Sequence, residues 1–124
     1  MNNEKLEREN ILRAKSYAFA LRIVKLNQFL NEQKEYTLSK QILRSGTAIG
    51  ALIRESEFAQ SRADFIGKLS IALKEANETE YWLSLLKDGA YITETMHASI
   101  QPEVAELIRL LVASIKTAKQ TNAQ

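Results

Sequence analysis

The chain reads as an all-α protein, an antiparallel up-down-up-down four-helix bundle, and three observations lead there. Apolar residues recur every three or four positions in four segments of roughly twenty residues each. Short polar links separate those segments, so sequence neighbours can fold back on one another. One proline and four glycines in 124 residues leave little to interrupt long helices. The β-branched residues follow the same helical spacing, with no alternating run of the kind a strand needs. There is no internal repeat and no low-complexity segment. One domain over residues 1–124 is expected, with 1–9 and 120–124 fraying.

The first helix is expected from about Asn10 to Leu30. Leu12, Phe19, Ile23, Leu26 and Leu30 make its stripe, and Tyr17, Ala20, Leu21 and Val24 widen it well beyond a half-buried face. The second starts near Thr37 or Ser39, either of which can cap it. Its stripe is Leu38, Ile42, Ser45, Ile49, Leu52 and Ala59. Gly46 and Gly50 lie one turn apart within it, and each costs about 1 kcal/mol against alanine in a helix interior. Two such residues on one face point to a close helix crossing rather than a kink.

Ser61 caps the third helix, with Asp64 near its N-terminal dipole. Phe65, Leu69, Ala72, Ala76, Thr79, Leu83 and Leu86 step by four and three, the seam pattern of a left-handed bundle. Ile71, Trp82 and Leu85 form a second stripe that needs separate cover. Gly89 ends the helix. Tyr91 to Ala98 reads as a short connection with room for one helical turn, followed by a fourth helix with Pro102 in its first turn. The inner face of that helix is Val104, Leu107, Ile108, Leu111, Ile115 and Ala118.

Composition narrows the function classes. The chain has no cysteine, which excludes disulfides, thiolate metal sites and a cysteine nucleophile and fits a cytoplasmic location. The charged N-terminus is unlike a secretory signal, and no apolar run suits a membrane span. Net charge is only +2 but unevenly spread: residues 10–54 carry a balance of +6, and residues 55–124 a balance of −3. Such a division suits an anionic partner for the first two helices, attraction between subunits, or solubility alone.

The stretch from Thr37 to Tyr91 carries a family resemblance. The residues in question are Tyr36-Thr37-Leu38-Ser39, Arg44-Ser45, Ile49, Ile53-Arg54-Glu55, Ala63-Asp64-Phe65, Leu69-Ser70-Ile71-Ala72 and Glu78-Thr79-Glu80-Tyr81-Trp82-Leu83. At these spacings they resemble a bacterial family of four-helix-bundle proteins. That family includes proteins encoded within intervening sequences of 23S ribosomal RNA genes. A weaker likeness extends to the accessory variability determinants of diversity-generating retroelements. Many relatives place glycine after the glutamate of the second helix; here Ser56 follows Glu55, so the turn is expected later, nearer Ala59 to Ser61. The resemblance implies a homo-oligomer, in known relatives a ring-shaped pentamer, and a link to structured RNA. It brings no catalytic residue and no cofactor.

Candidate sites follow from these readings. Arg13, Arg22, Lys25, Lys40, Arg44 and Arg54, with Lys15, would share one cationic surface if the first two helices are neighbours, and phosphate contacts need little more. No aromatic residue sits evidently among these charges, so base stacking is not expected. Glu75 and Glu78 lie one turn apart and Glu55 can face them. Di-iron bundles use Glu-x-x-His pairs, however, and the single histidine, His97, lies outside any such motif. Pairing of these carboxylates with Arg or Lys is the better reading, and no metal site is expected. Ser45 lacks a base and an oxyanion hole, so it reads as a seam residue bonded to its own helix backbone. Tyr17, Ile71, Tyr81, Trp82 and Leu85 are candidates for a subunit interface; Tyr81 and Trp82, being adjacent, cannot share one seam. The expected function is a non-enzymatic, homo-oligomeric binding protein that contacts RNA or another nucleic acid and no membrane. The alternative is a protein-interaction scaffold.

Overall fold

In a computed structural model describing residues 3–122, four helices follow one another: α1 (Asn3–Glu32), α2 (Leu38–Ser56), α3 (Arg62–Asp88) and α4 (Glu94–Asn122). No strand occurs among the described residues. α1 and α3 each pack on α2 and on α4, while the diagonal pairs α1/α3 and α2/α4 make no close backbone approach. That order around the core is the antiparallel up-down-up-down bundle. The core stripes follow the predicted spacing with local differences: α2 buries Ile53 in place of the expected Leu52, and the expected Leu38, Phe65 and Ile108 are only partly buried. Leu12, Phe19, Ile23 and Leu30 from α1 are fully buried, as are Ile42 and Ile49 from α2, Leu69, Leu83 and Leu86 from α3, and Val104, Leu107 and Leu111 from α4.

The helix ends depart from expectation in instructive ways. α1 begins at Asn3, nearly two turns before Asn10. Of the ends expected to fray, residues 3–9 and 120–122 are helical, and positions 1, 2, 123 and 124 lie outside the described residues. Thr37 is the N-cap of α2 but makes no side-chain cap bond. The Glu35 carboxylate accepts the Ser39 N–H instead, at 2.8 Å. Asn31 and Asn27 complete the turn by taking the Ser39 hydroxyl and bonding its carbonyl, both at 3.1 Å.

α2 stops at Ser56, so Ala59 belongs to the following link and not to the helical stripe, and the turn comes no later for lack of a glycine. α3 opens as expected: Ser61 Oγ accepts from Asp64 N–H at 3.0 Å, and Asp64 reaches back to the Gln60 N–H at 3.1 Å. Gly89 is its C-cap at φ −81°, but the left-handed residue is Ala90, at φ 65°. Tyr91 N–H bonds the Leu86 carbonyl at 2.9 Å and Ala90 N–H that of Lys87 at 3.0 Å, a Schellman closure.

The largest correction concerns α4. Thr93, not Pro102, marks its start: Thr93 Oγ1 accepts the Met96 N–H at 3.1 Å. The segment 94–98, expected as a connection, is therefore helical, and His97 sits on the helix. Pro102 lies inside α4, where it offers no N–H to the Ala98 carbonyl. Both residues face solvent, so water can serve that carbonyl. The Arg22 guanidinium grips the same turn, donating to the Ser99 carbonyl at 3.1 Å and hydroxyl at 3.0 Å and pairing with Glu103.

Gly46 and Gly50 mark a close crossing of α1 and α2. A Cβ on Gly46 would lie 2.7 Å from Cγ1 of Ile23, a fully buried side chain. On Gly50 it would lie 3.3 Å from the Ser16 carbonyl oxygen. Gly67 in α3, by contrast, has open space around its Cα, with nothing within 4 Å of an added Cβ. Alanine at the two sites is expected to act in opposite directions. Gly46→Ala loses about 1–2 kcal/mol, because overpacking against stiff Ile23 outweighs the gain in helix propensity. Gly67→Ala gains about 1 kcal/mol, since propensity alone changes there. Urea unfolding of the two variants measures both.

Candidate nucleic-acid interface

Half of the eight basic residues between positions 10 and 54 are committed to ion pairs within the molecule. Arg44 pairs with Glu75 at 3.1 Å and with Glu78, both on α3. On the opposite side of the bundle, Arg22 pairs with Glu103, and Lys15 with Glu106 at 3.1 Å, both on α4. Arg13 meets Glu57 of the α2–α3 link at 3.1 Å. Lys68 of α3 meets Glu55 at 3.7 Å, so Glu55 and Glu78 both join the ion pairs expected of them. To that extent the basic first half and the acidic second half are opposite members of the same interhelical pairs.

The six candidate cations consequently do not lie on one surface. Arg22 and Lys25 edge a groove between α1 and the start of α4, whose walls are largely apolar. Arg44 leans toward α3. Lys40 and Arg54 stand on the outward strip of α2, about 21 Å apart along the axis, with exposed Ala51 and half-buried Thr47 between them. No acidic residue interrupts α2 from Leu38 to Arg54. Of the six candidate cations, Lys25, Lys40 and Arg54 have no ion-pair partner among the described residues, and several cations elsewhere, such as Lys74 and Lys116, have none either.

Arg54 and Arg13 share a second groove, of about 220 Å³, along the α1–α2 seam. Its floor is Ser16, Ala20, Thr47 and Gly50, and no carboxylate lines it. The close crossing explains the floor: where helices approach through small residues, little side chain remains to fill the seam above them. Tyr17 forms part of its wall and is 62% exposed. An aromatic ring therefore does stand among the cations, contrary to expectation. Its place one turn from Arg13 on α1 could be read from spacing; only the approach of Arg54 depends on contact across the seam.

The other four interface candidates lie on α3, diagonally across the bundle. Ile71, Tyr81 and Leu85 are exposed and share an outward strip with Gly67. Trp82 is half-buried against the core, its ring edge-on to Tyr81 with centroids 5.1 Å apart. The adjacent aromatics divide as expected, Trp82 inward and Tyr81 outward. Ser45 is a seam residue, but its partner is across the helices: its hydroxyl and that of Thr79, both fully buried, hydrogen-bond at 2.9 Å. Among the described residues no group of three or more His, Cys, Asp or Glu is placed to hold a metal ion. No helix among them is long and apolar enough to cross a membrane.

A four-helix bundle of this order, with its cations on α1 and α2, defines a class of small all-α proteins. Within it, the model of the family described as 23S rRNA-intervening sequence protein matches residues 8–113, and the chain belongs to that family. The chain is also similar to a crystal structure of a protein with unknown function from the S23 ribosomal protein family of Bacteroides thetaiotaomicron. The two are 61% identical, with a TM-score of 0.86 over 88% of this chain and 98% of that one. Comparison with curated proteins finds no match. The family is not a known enzyme family.

The Glu78 carboxyl is held below the ordinary carboxylate range, first by the hydrogen bond it accepts from Trp82 Nε1 and then by Arg44. Its folded value lies below the unfolded one, near 4.5, so the contribution is complete above that pH and fades as pH falls through the folded value. The site is exposed, which limits its worth to a few tenths up to about 1 kcal/mol. Glu78→Gln is expected to lower stability by that amount near neutral pH and to match the wild type in strong acid. Urea unfolding at several pH values, followed by Trp82 fluorescence, tests this.

Proposed function

We propose that this protein is a non-enzymatic, cytoplasmic, homo-oligomeric binding protein that contacts RNA through the α1–α2 side of the bundle. The observation that carries the reading is the outward strip of α2, where Lys40 and Arg54 stand without partners and no acidic residue lies between them. Cations held in interhelical pairs serve the fold; those left over remain available to phosphates. Membership of a family named for 23S rRNA intervening sequences supports RNA as the polyanion. Self-association is supported by the exposed strip Ile71, Tyr81 and Leu85 on α3, since oligomers cover apolar surface of this kind. The likeness to pentameric relatives makes five subunits the expected number.

Two measurements test the reading. Binding to 23S rRNA fragments is expected to fall steeply with salt. The Lys40→Gln, Arg54→Gln double variant is expected to bind more weakly and to lower the salt slope by about two. No retention in a low-salt filter assay removes the RNA reading. Capture of one stoichiometric protein partner in its place favours a scaffold. For assembly, light scattering at tens of micromolar is expected to give a mass near five times the 14.1 kDa chain, reduced by Ile71→Glu with Leu85→Glu. A monomer mass for the wild type removes the oligomer.

A further inference from the structure

We infer that the α1–α2 groove seats one unpaired nucleotide, with Tyr17 as its stacking platform and Arg54 as its phosphate contact; the inference rests on the RNA reading above. Three features of the groove lead to it. Tyr17 presents a ring that is mostly exposed, with no hydrogen bond to its hydroxyl among the described residues. Stacking on such a ring needs only the π-face that every base has. Arg54 stands at the same groove with no ion-pair partner, so its guanidinium is free to meet a phosphate. Arg13, across from it, is held by Glu57 and keeps its charge at the rim.

The floor decides what can enter. Gly50 and Ala20 leave a shallow trough with no large side chain, and a Cβ at Gly50 would already meet the Ser16 backbone. A flat ring can lie along such a trough beside Tyr17. Three other cavities differ: the one between α3 and α4 has Lys116 and Lys119 and no carboxylate, but no aromatic ring on which a base could stack. The one at the end of the bundle mixes Lys5, Arg13 and Arg62 with the carboxylates of Glu9 and Glu57, so it is no carboxylate-free seat for a phosphate. The one at the start of α4 offers Lys25, but its Arg22 is engaged by Glu103 and Ser99.

Bases within a duplex are already stacked on their neighbours, so a Tyr17 platform serves a single strand or a bulge. A second copy of the chain is the rival occupant, because exposed Leu21 and Val24 continue from Tyr17 along α1. The unpaired guanidinium of Arg54 beside the ring, with no carboxylate among the residues lining the groove, favours the nucleotide.

The experiment compares a single-stranded oligoadenylate with an RNA duplex of equal length, by fluorescence anisotropy at low salt. Wild type is set against Tyr17→Leu, Tyr17→Phe and Arg54→Gln. Tyr17→Leu is expected to weaken single-strand binding between about fivefold and a hundredfold while leaving duplex binding and the salt slope unchanged. Tyr17→Phe is expected to keep most of the affinity. Arg54→Gln is expected to weaken both and to lower the salt slope by about one. Tyr17 is exposed, so the variants keep the fold, which thermal melts confirm. If Tyr17→Leu binds both RNAs as the wild type does, the nucleotide seat is overturned while the RNA reading stands. If Tyr17→Leu instead lowers the assembly mass with RNA binding intact, the groove is a subunit contact and the inference is overturned. If the wild type binds neither RNA, the RNA reading falls and the inference with it.

Discussion

The close approach of α1 and α2 is the constraint from which much of this bundle follows. With hydrogen at Gly46 the chain can seat Ile23 against the backbone of α2, and with hydrogen at Gly50 the same helix can meet the Ser16 carbonyl. Packing this tight fixes the rotation of both helices about their axes. Ile42, Ile49 and Ile53 then face the core, and the outward strip of α2 falls to Lys40, Thr47, Ala51 and Arg54. The groove above the seam is the outer consequence of the same small residues. A bulkier pair would push the helices apart, loosen Ile23 and change what Arg13, Tyr17 and Arg54 can jointly reach.

Electrostatics follow the packing rather than direct it. The interhelical pairs sit at the edges of the seams, with both members partly exposed. Such pairs contribute little energy each, but their pattern is specific: cations on α1 meet carboxylates on α4, while α2 and α3 pair Arg44 with Glu75 and Glu78 and Glu55 with Lys68. Like charges facing across those seams would oppose the order observed, so the pairs help select it among alternative bundle arrangements. The Arg22 grip has a second effect, because it fastens α4 at the turn that Pro102 deprives of a hydrogen bond.

Much of the fold was legible because helix periodicity is a local property. Leu69, Ala72, Ala76, Thr79, Leu83 and Leu86 declare a buried seam by spacing alone, and each is buried. What escaped notice depended on weak local signals or on contacts across helices. Thr93 caps α4, yet the third residue on is Met96 rather than glutamate, so the usual signature is incomplete; the proline was the stronger mark and misled by two turns. Glu35 replaces Thr37 as the side chain that satisfies the start of α2. The partner of Ser45, Thr79, lies on another helix, and no periodicity reveals it. The same limit hid the approach of Arg54 to Arg13 and Tyr17. The candidate cations could be named from sequence, but whether each faces a carboxylate or solvent depends on helix rotation.

Helix rotation also separates two uses of the surface. α1 and α3 lie on a diagonal and make no close backbone approach. The apolar residues each leaves outside therefore point in opposite directions: Tyr17, Leu21 and Val24 on one side, Ile71, Tyr81 and Leu85 on the other. A single self-complementary patch would support a two-fold pair, whereas unlike patches on opposite sides suit head-to-tail association. The α1 patch, however, is bordered by guanidinium groups and a carboxylate-free groove, and the α3 patch is not. If α3 finds its cover among the apolar and small outward positions of a neighbouring subunit, the α1–α2 groove stays open to solvent in the assembly. Repeating the bundle would then repeat the groove, and several weak phosphate and stacking contacts along one RNA strand would add through their shared tether.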